Sequence, residues 1–144
     1  MAYMGQPVPS AVTSISQIKV SDGKSVEVTV PAGTGTVAGN FYVLDGFFGV
    51  VLNTIKAENN TAGETVALQL ETCEYVTDQI DTKQAFAKGA DLYFDTKNNV
   101  FTDQEVEGYL VGKVTVAKDA ADTIQFIRYQ QVMDEPAVKA SQGA

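Results

Sequence analysis

The sequence predicts an all-β domain, a sandwich or a barrel. Three observations carry this. Short runs of β-branched and aromatic residues alternate with polar ones, the period-2 signature of half-buried strands. Turn signals separate these runs at roughly 8–12-residue spacing, giving about six to eight strands. No segment holds a helical period over a window of about eleven residues.

Residues Met1 to Ser16 are small and polar, with Pro7 and Pro9. Proline fixes φ and removes a donor, so this stretch reads as an extended arm. From Lys24 the pattern changes, and Val26, Val28 and Val30 alternate with Ser25, Glu27 and Thr29 as a strand. Pro31 to Thr36 is a loop. Phe41-Tyr42-Val43-Leu44, Asp45-Gly46 and Phe47 to Leu52 form a hairpin, because Asp-Gly supplies the positive φ angles of a type I′ turn. Gly49 inside the second arm marks a bulge or a close backbone approach. Thr65 to Glu71 is a strand with Val66, Leu68 and Leu70 on one face, and a bulge or bend is expected after Thr72. Ala85 to Lys88 before Gly89 suggests one helical turn with a C′ glycine. Asp91 to Asp95 and Val100 to Thr102 form a second hairpin around Lys97-Asn98-Asn99. Gly108 to Val116 is a long strand, Asp119 to Asp122 a turn, and Thr123 to Tyr129 the last strand. After Tyr129 the periodicity is lost, and residues 130–144 read as a tail. The organisation expected is an N-terminal arm over 1–20, a β domain over 21–129 and a C-terminal tail over 130–144.

A chain of 144 residues suits one domain with its own core. It contains no His, so Ser-His-Asp and Cys-His catalysis and His-ligated metals are excluded. Its single Cys, Cys73, can form no disulfide within the chain and no cysteine zinc cluster, and is expected to be a buried, inert thiol. The commonest general base at neutral pH is therefore missing, and no enzyme activity is expected. A net charge of −8 with ten basic residues argues against nucleic acid and against an anionic membrane surface. Six acidic residues without a base between Lys56 and Lys83 (Glu58, Glu64, Glu71, Glu74, Asp78, Asp81) read as a solvated face, or as a steering surface on an assembled particle. No signal peptide or spanning segment is expected, and the sequon Asn59-Asn60-Thr61 reads as a chance loop motif.

The motifs that suggest chemistry fail on their own terms. Gly33 to Gly39 is followed by Asn40-Phe41, with no Lys and no helix to meet a phosphate. The stretch from Asp95 places Lys97, Val100 and Val106 where a calcium loop needs an oxygen donor, Gly and Glu. Glu71, Glu74, Asp78 and Asp81 could supply an acid/base pair only at a set separation in a cleft, and the acidic surface run and the lack of Trp for a sugar platform argue against it. The Phe and Tyr residues fall mostly on strands, where core packing explains them. No cofactor is implied.

Several segments together resemble a known family. Val37 to Val50 resembles its opening hairpin, Ala62 to Leu68 its Ala-Gly-Glu turn and strand, and Lys88 to Asp95 its Lys-Gly-Asp and Tyr-containing segment. Gly108 to Gly112 and Thr123 to Arg128 resemble its last strands. The family is the capsid cement, or decoration, proteins of tailed phages, some of which have carried a recombinase-like label. The resemblance covers about residues 24–129. It implies a small β-barrel or β-tulip-like domain on the exterior of the virion capsid, made in the host cytoplasm. It implies the major capsid protein and neighbouring copies, as a homotrimer, as partners. The arm before the domain would then make the capsid or inter-subunit contacts, through Tyr3, Met4, Pro7, Val8, Pro9, Val12, Ile15 and Ile18. A head–tail connector, a tail-tube subunit and a carbohydrate-binding module are the alternatives.

Overall fold

The computed structural model describes residues 18–105 and 108–130. Nine strands carry the domain: β1 Ser25–Val30, β2 Phe41–Leu44, β3 Phe47–Val51, β4 Glu64–Gln69, β5 Glu74–Thr77, β6 Asp91–Asp95, β7 Val100–Thr102, β8 Gly108–Val116 and β9 Ile124–Arg128. A single 3₁₀ turn, Ala57–Asn59, lies between β3 and β4. The strands form a four-stranded sheet, ordered β1-β4-β3-β2, and a five-stranded sheet, ordered β5-β9-β8-β6-β7. All named strand pairs are antiparallel.

The alternation in β1 does what its period requires. Val28 and Val30 are buried while Ser25, Glu27 and Thr29 are exposed. Val28 faces Val66 and Val26 faces Leu68 across the β1–β4 ladder. These residues join Val51 and Ile55 in a small core of their own. In the β2–β3 hairpin, Asp45 and Gly46 both take positive φ, 52° and 84°, as a type I′ turn needs. Asp45 has a second task, because its carboxylate accepts the Thr29 N–H at 2.8 Å. The turn thereby reaches the edge of β1, and the four-stranded sheet curls into a half-barrel. Gly49 is a close approach: a Cβ there would run into the Gln69 carbonyl oxygen and the Leu68 side chain.

The main core lies between the sheets. Phe41, Phe48 and Val50 of the first sheet meet Leu92, Phe94, Phe101, Val111, Val114, Ile124 and Phe126 of the second, with Ile80 and Phe86 from connecting segments. Phe41 is its hub, with ring contacts to Phe48, Tyr75, Phe101 and Phe126 at centroid distances of 5.1–5.7 Å. The strand aromatics are thus core residues, as their positions imply.

Two local expectations change. The irregular stretch after Thr72 leads into a further strand, β5, which pairs with β9 from Glu74↔Ile127 to Thr77↔Ile124. Ala85 to Lys88 forms no helical turn. Instead Phe86 is fully buried with φ 49°, and a β-turn follows, closed by the Ala90 N–H on the Ala87 carbonyl at 3.0 Å with Gly89 at φ 86°. Burying the Phe86 ring outweighs the weak local preference for one isolated helical turn.

Candidate interaction surface

Of the residues assigned to the arm, Tyr3, Met4, Pro7, Val8, Pro9, Val12 and Ile15 lie outside the described residues, as do residues 131–144 of the tail. Ile18 is described and is 83% exposed, and Val20 is 93% exposed. Lys19, between these two, pairs with Asp22 at 2.9 Å. A shallow groove of about 280 Å³ opens beside the start of β1, lined by Lys24, Ser25, Leu52, Ala67, Gln69 and Glu71.

A second apolar surface lies on the outer face of the five-stranded sheet. Val76 and Val116 both oppose Gln125, so these three side chains form a row across β5, β9 and β8. In the next row Ile127 stands between Glu74 and Lys113. Val76, Val116 and Ile127 are all exposed. Polar contacts flank them: Thr115 donates to the Glu74 carboxylate at 2.7 Å, and Lys113 pairs with Asp91 at 3.3 Å.

Beneath this face Arg128 ties the two sheets together. It ends β9, yet it is buried, and its guanidinium donates to the Phe48 and Gln69 carbonyl oxygens of the first sheet. Its charged carbon also lies 5.0 Å from the centre of the Phe48 ring. Burial lowers its pKa from the ordinary value, against the pull of the adjacent Tyr75. Burial likewise raises the Tyr75 pKa, with the Cys73 thiol adding to the shift. Cys73 itself is half-buried, more open than the sequence suggests.

The sheet edges differ in how they end. Gln79 closes β2: its side-chain oxygen accepts the Phe41 N–H at 2.7 Å and its nitrogen donates to the Phe41 carbonyl at 2.9 Å. The same nitrogen donates to Asn99 at 2.8 Å, joining the first sheet to the β6–β7 turn. On β7, the Phe101 N–H donates to Gln79 and its carbonyl accepts from Asp81. On β1, Asp45 takes the Thr29 N–H. β5 has no such cover among the described residues. The Arg128 N–H donates to Cys73 and the Tyr129 N–H to Val111, so alternate residues of β9 turn to β5 and to β8. On that alternation Tyr75 and Thr77 bond to β9, while the backbone groups of Glu74 and Val76 point out of the sheet.

Of the acidic residues considered for acid/base chemistry, Glu74 lies on this edge and Asp78 follows it, while Glu71 precedes it and Asp81 sits beside β7 at the opposite edge of the sheet. Glu71 stands 3.9 Å from Lys24, and Glu74 takes the Thr115 hydroxyl. Asp81 accepts the Lys83 N–H in a turn. Asp81 and Asp95 also border a polar cleft of about 300 Å³, where Asp95 is occupied by the Lys97 and Asn98 N–H groups. Among the described residues no three His, Cys, Asp or Glu side chains group as metal ligands. No helix among them is long and apolar enough to cross a membrane. The geometry offers exposed apolar strips, an open strand edge and acidic flanks.

A family model described as phage cement protein matches residues 20–131. The chain belongs to the phage cement protein family. No curated protein and no solved structure matched it. The match takes in all nine strands and starts after Ile18, so the cement domain is the two-sheet body. It agrees with the resemblance carried by the hairpin at Asp45-Gly46 and the segments after it. Sequence reasoning overlooked Arg128, Gln79 and the β5 edge. The one available signal was Arg128 itself, a charged residue in phase with the buried Ile124 and Phe126.

Proposed function

We propose that this chain binds the exterior of an assembled phage capsid and stabilises the shell. The major capsid protein is its partner, and further copies of the chain stand beside it as a homotrimer. The observation that carries this reading is the family match across the whole two-sheet domain. A protein that binds only the assembled lattice stabilises it by mass action, and many copies bridging subunits add avidity. The arm over 1–20 supplies capsid or inter-subunit contacts through Tyr3, Met4, Pro7, Val8, Pro9, Val12, Ile15 and Ile18. Its support is the change from Pro/Ser-rich sequence to strand at Lys24, together with the exposed Ile18 and Val20 just before the domain.

The test is the heat resistance of expanded shells with and without the full-length protein and a form lacking residues 1–16. The full chain should raise the temperature at which shells release their contents. The shortened form should remain folded and protect less. Equal protection by both forms would remove the arm from the contact, and no protection by either would remove stabilisation from the function.

A further inference from the structure

We propose that the free edge of β5 is a docking strand, which takes an extended, positively charged segment of a partner protein as an added β-strand. On the reading above that partner is the shell subunit, and only the partner's identity rests on that reading. β2, β7 and β1 each have a named group covering an edge position: Gln79, the Gln79–Asp81 backbone and Asp45. β5 presents the outward backbone groups of Glu74 and Val76 with no cover among the described residues, and carries no Lys or Pro to deter pairing. Unpaired edge groups are a template for strand addition, in which the main chain supplies affinity and alternate side chains supply specificity.

The side chains on this edge specify what would fit. Glu74 and Val76 stand on the outer face, with Ile127 beside Glu74 on β9. A strand added there would set its own outward residues next to one carboxylate and one exposed valine. Glu71, Glu74 and Asp78 lie on or next to β5 and are exposed or half-exposed. They are three of the six acids in the base-free stretch between Lys56 and Lys83. A segment alternating Lys or Arg with Val or Ile matches this edge in hydrogen bonding, charge and apolar contact. An acidic segment is repelled.

The experiment uses the full chain and Val76→Pro. The Val76 N–H points away from β9, so proline there removes an edge donor without breaking the ladder. Melting temperature checks that the variant folds, and Glu74→Lys reverses the edge charge if it does not. On expanded shells either variant should bind roughly tenfold more weakly, the equivalent of one or two hydrogen bonds. Wild-type binding should also weaken as salt rises. Equal shell binding by wild type and a folded variant would overturn the proposal. If wild type ignores shells, the capsid reading fails, and amide exchange with a ten-residue Lys/Val peptide decides the edge separately. Peptide-dependent protection of the Glu74 and Val76 amides, absent with a Glu/Val peptide, would support the edge. Protection of those two amides in the free protein, or no protection with peptide, would overturn it.

Discussion

Arg128 shows most clearly what one residue does in this fold. It ends a strand whose alternate residues, Ile124 and Phe126, are buried, and it follows their phase into the core. The carbonyls of Phe48 and Gln69, two chain segments away, receive its donors. Arg128→Met keeps most of the stem and leaves those carbonyls short of a donor, so it should cost about 2–3 kcal/mol. Urea unfolding measures this directly, and a midpoint equal to that of wild type would mean that the staple is dispensable. Asp119 governs the β8–β9 turn. Its carboxylate accepts from Thr123 and Ala121, and the Thr123 N–H chiefly holds its pKa below the ordinary carboxylate value. A lowered folded pKa contributes stability that is whole above the unfolded value of about 3.9 and lost as pH falls through the lower folded value. Asp119→Ala should therefore be less stable than wild type at neutral pH, with the gap closing in acid below that range. A gap that stays constant with pH would contradict the assignment.

At the scale of elements, the sequence is legible where local chemistry decides. The type I′ hairpin follows from Asp45-Gly46, and the close approach at Gly49 from a glycine among large apolar residues. The buried face of β1 follows from alternating valines. β5 is different. It is four residues long, Glu-Tyr-Val-Thr, and its place is fixed by Phe126 and Ile124 of β9, some fifty residues on. No local period announces it. Gln79 was equally hidden, since a lone glutamine in a polar stretch carries no sign that it will cap a strand. Its side chain makes three hydrogen bonds to backbone groups, on β2 and in the β6–β7 turn. Gln79→Ala should cost about 1–3 kcal/mol by leaving the Phe41 groups unpaired. It should also speed amide exchange at Phe41 more than at Val66, which lies in the other core. Uniform acceleration at both would show that the cap does not act locally.

For the whole molecule, the alternation of short strands and turns gave the all-β class, but not the division into two sheets. β1 pairs with β4 and β5 with β9, pairings set by packing at long range. Of the candidate contact residues before the domain, only Ile18 is among the described residues, and it is exposed. Charge adds a further constraint, since a net −8 molecule with Glu71, Glu74 and Asp78 on or next to β5 favours a positively charged partner surface. The family match makes the two-sheet body a cement domain, and the central claim is that it recognises a shell rather than a free subunit. Co-sedimentation of the purified full-length protein with undecorated capsids, unexpanded and expanded, tests that most directly. Saturable binding to expanded shells alone is the predicted result, and it would place the binding site among surfaces formed on maturation. Binding to neither form would contradict the account and favour a connector or tail role instead.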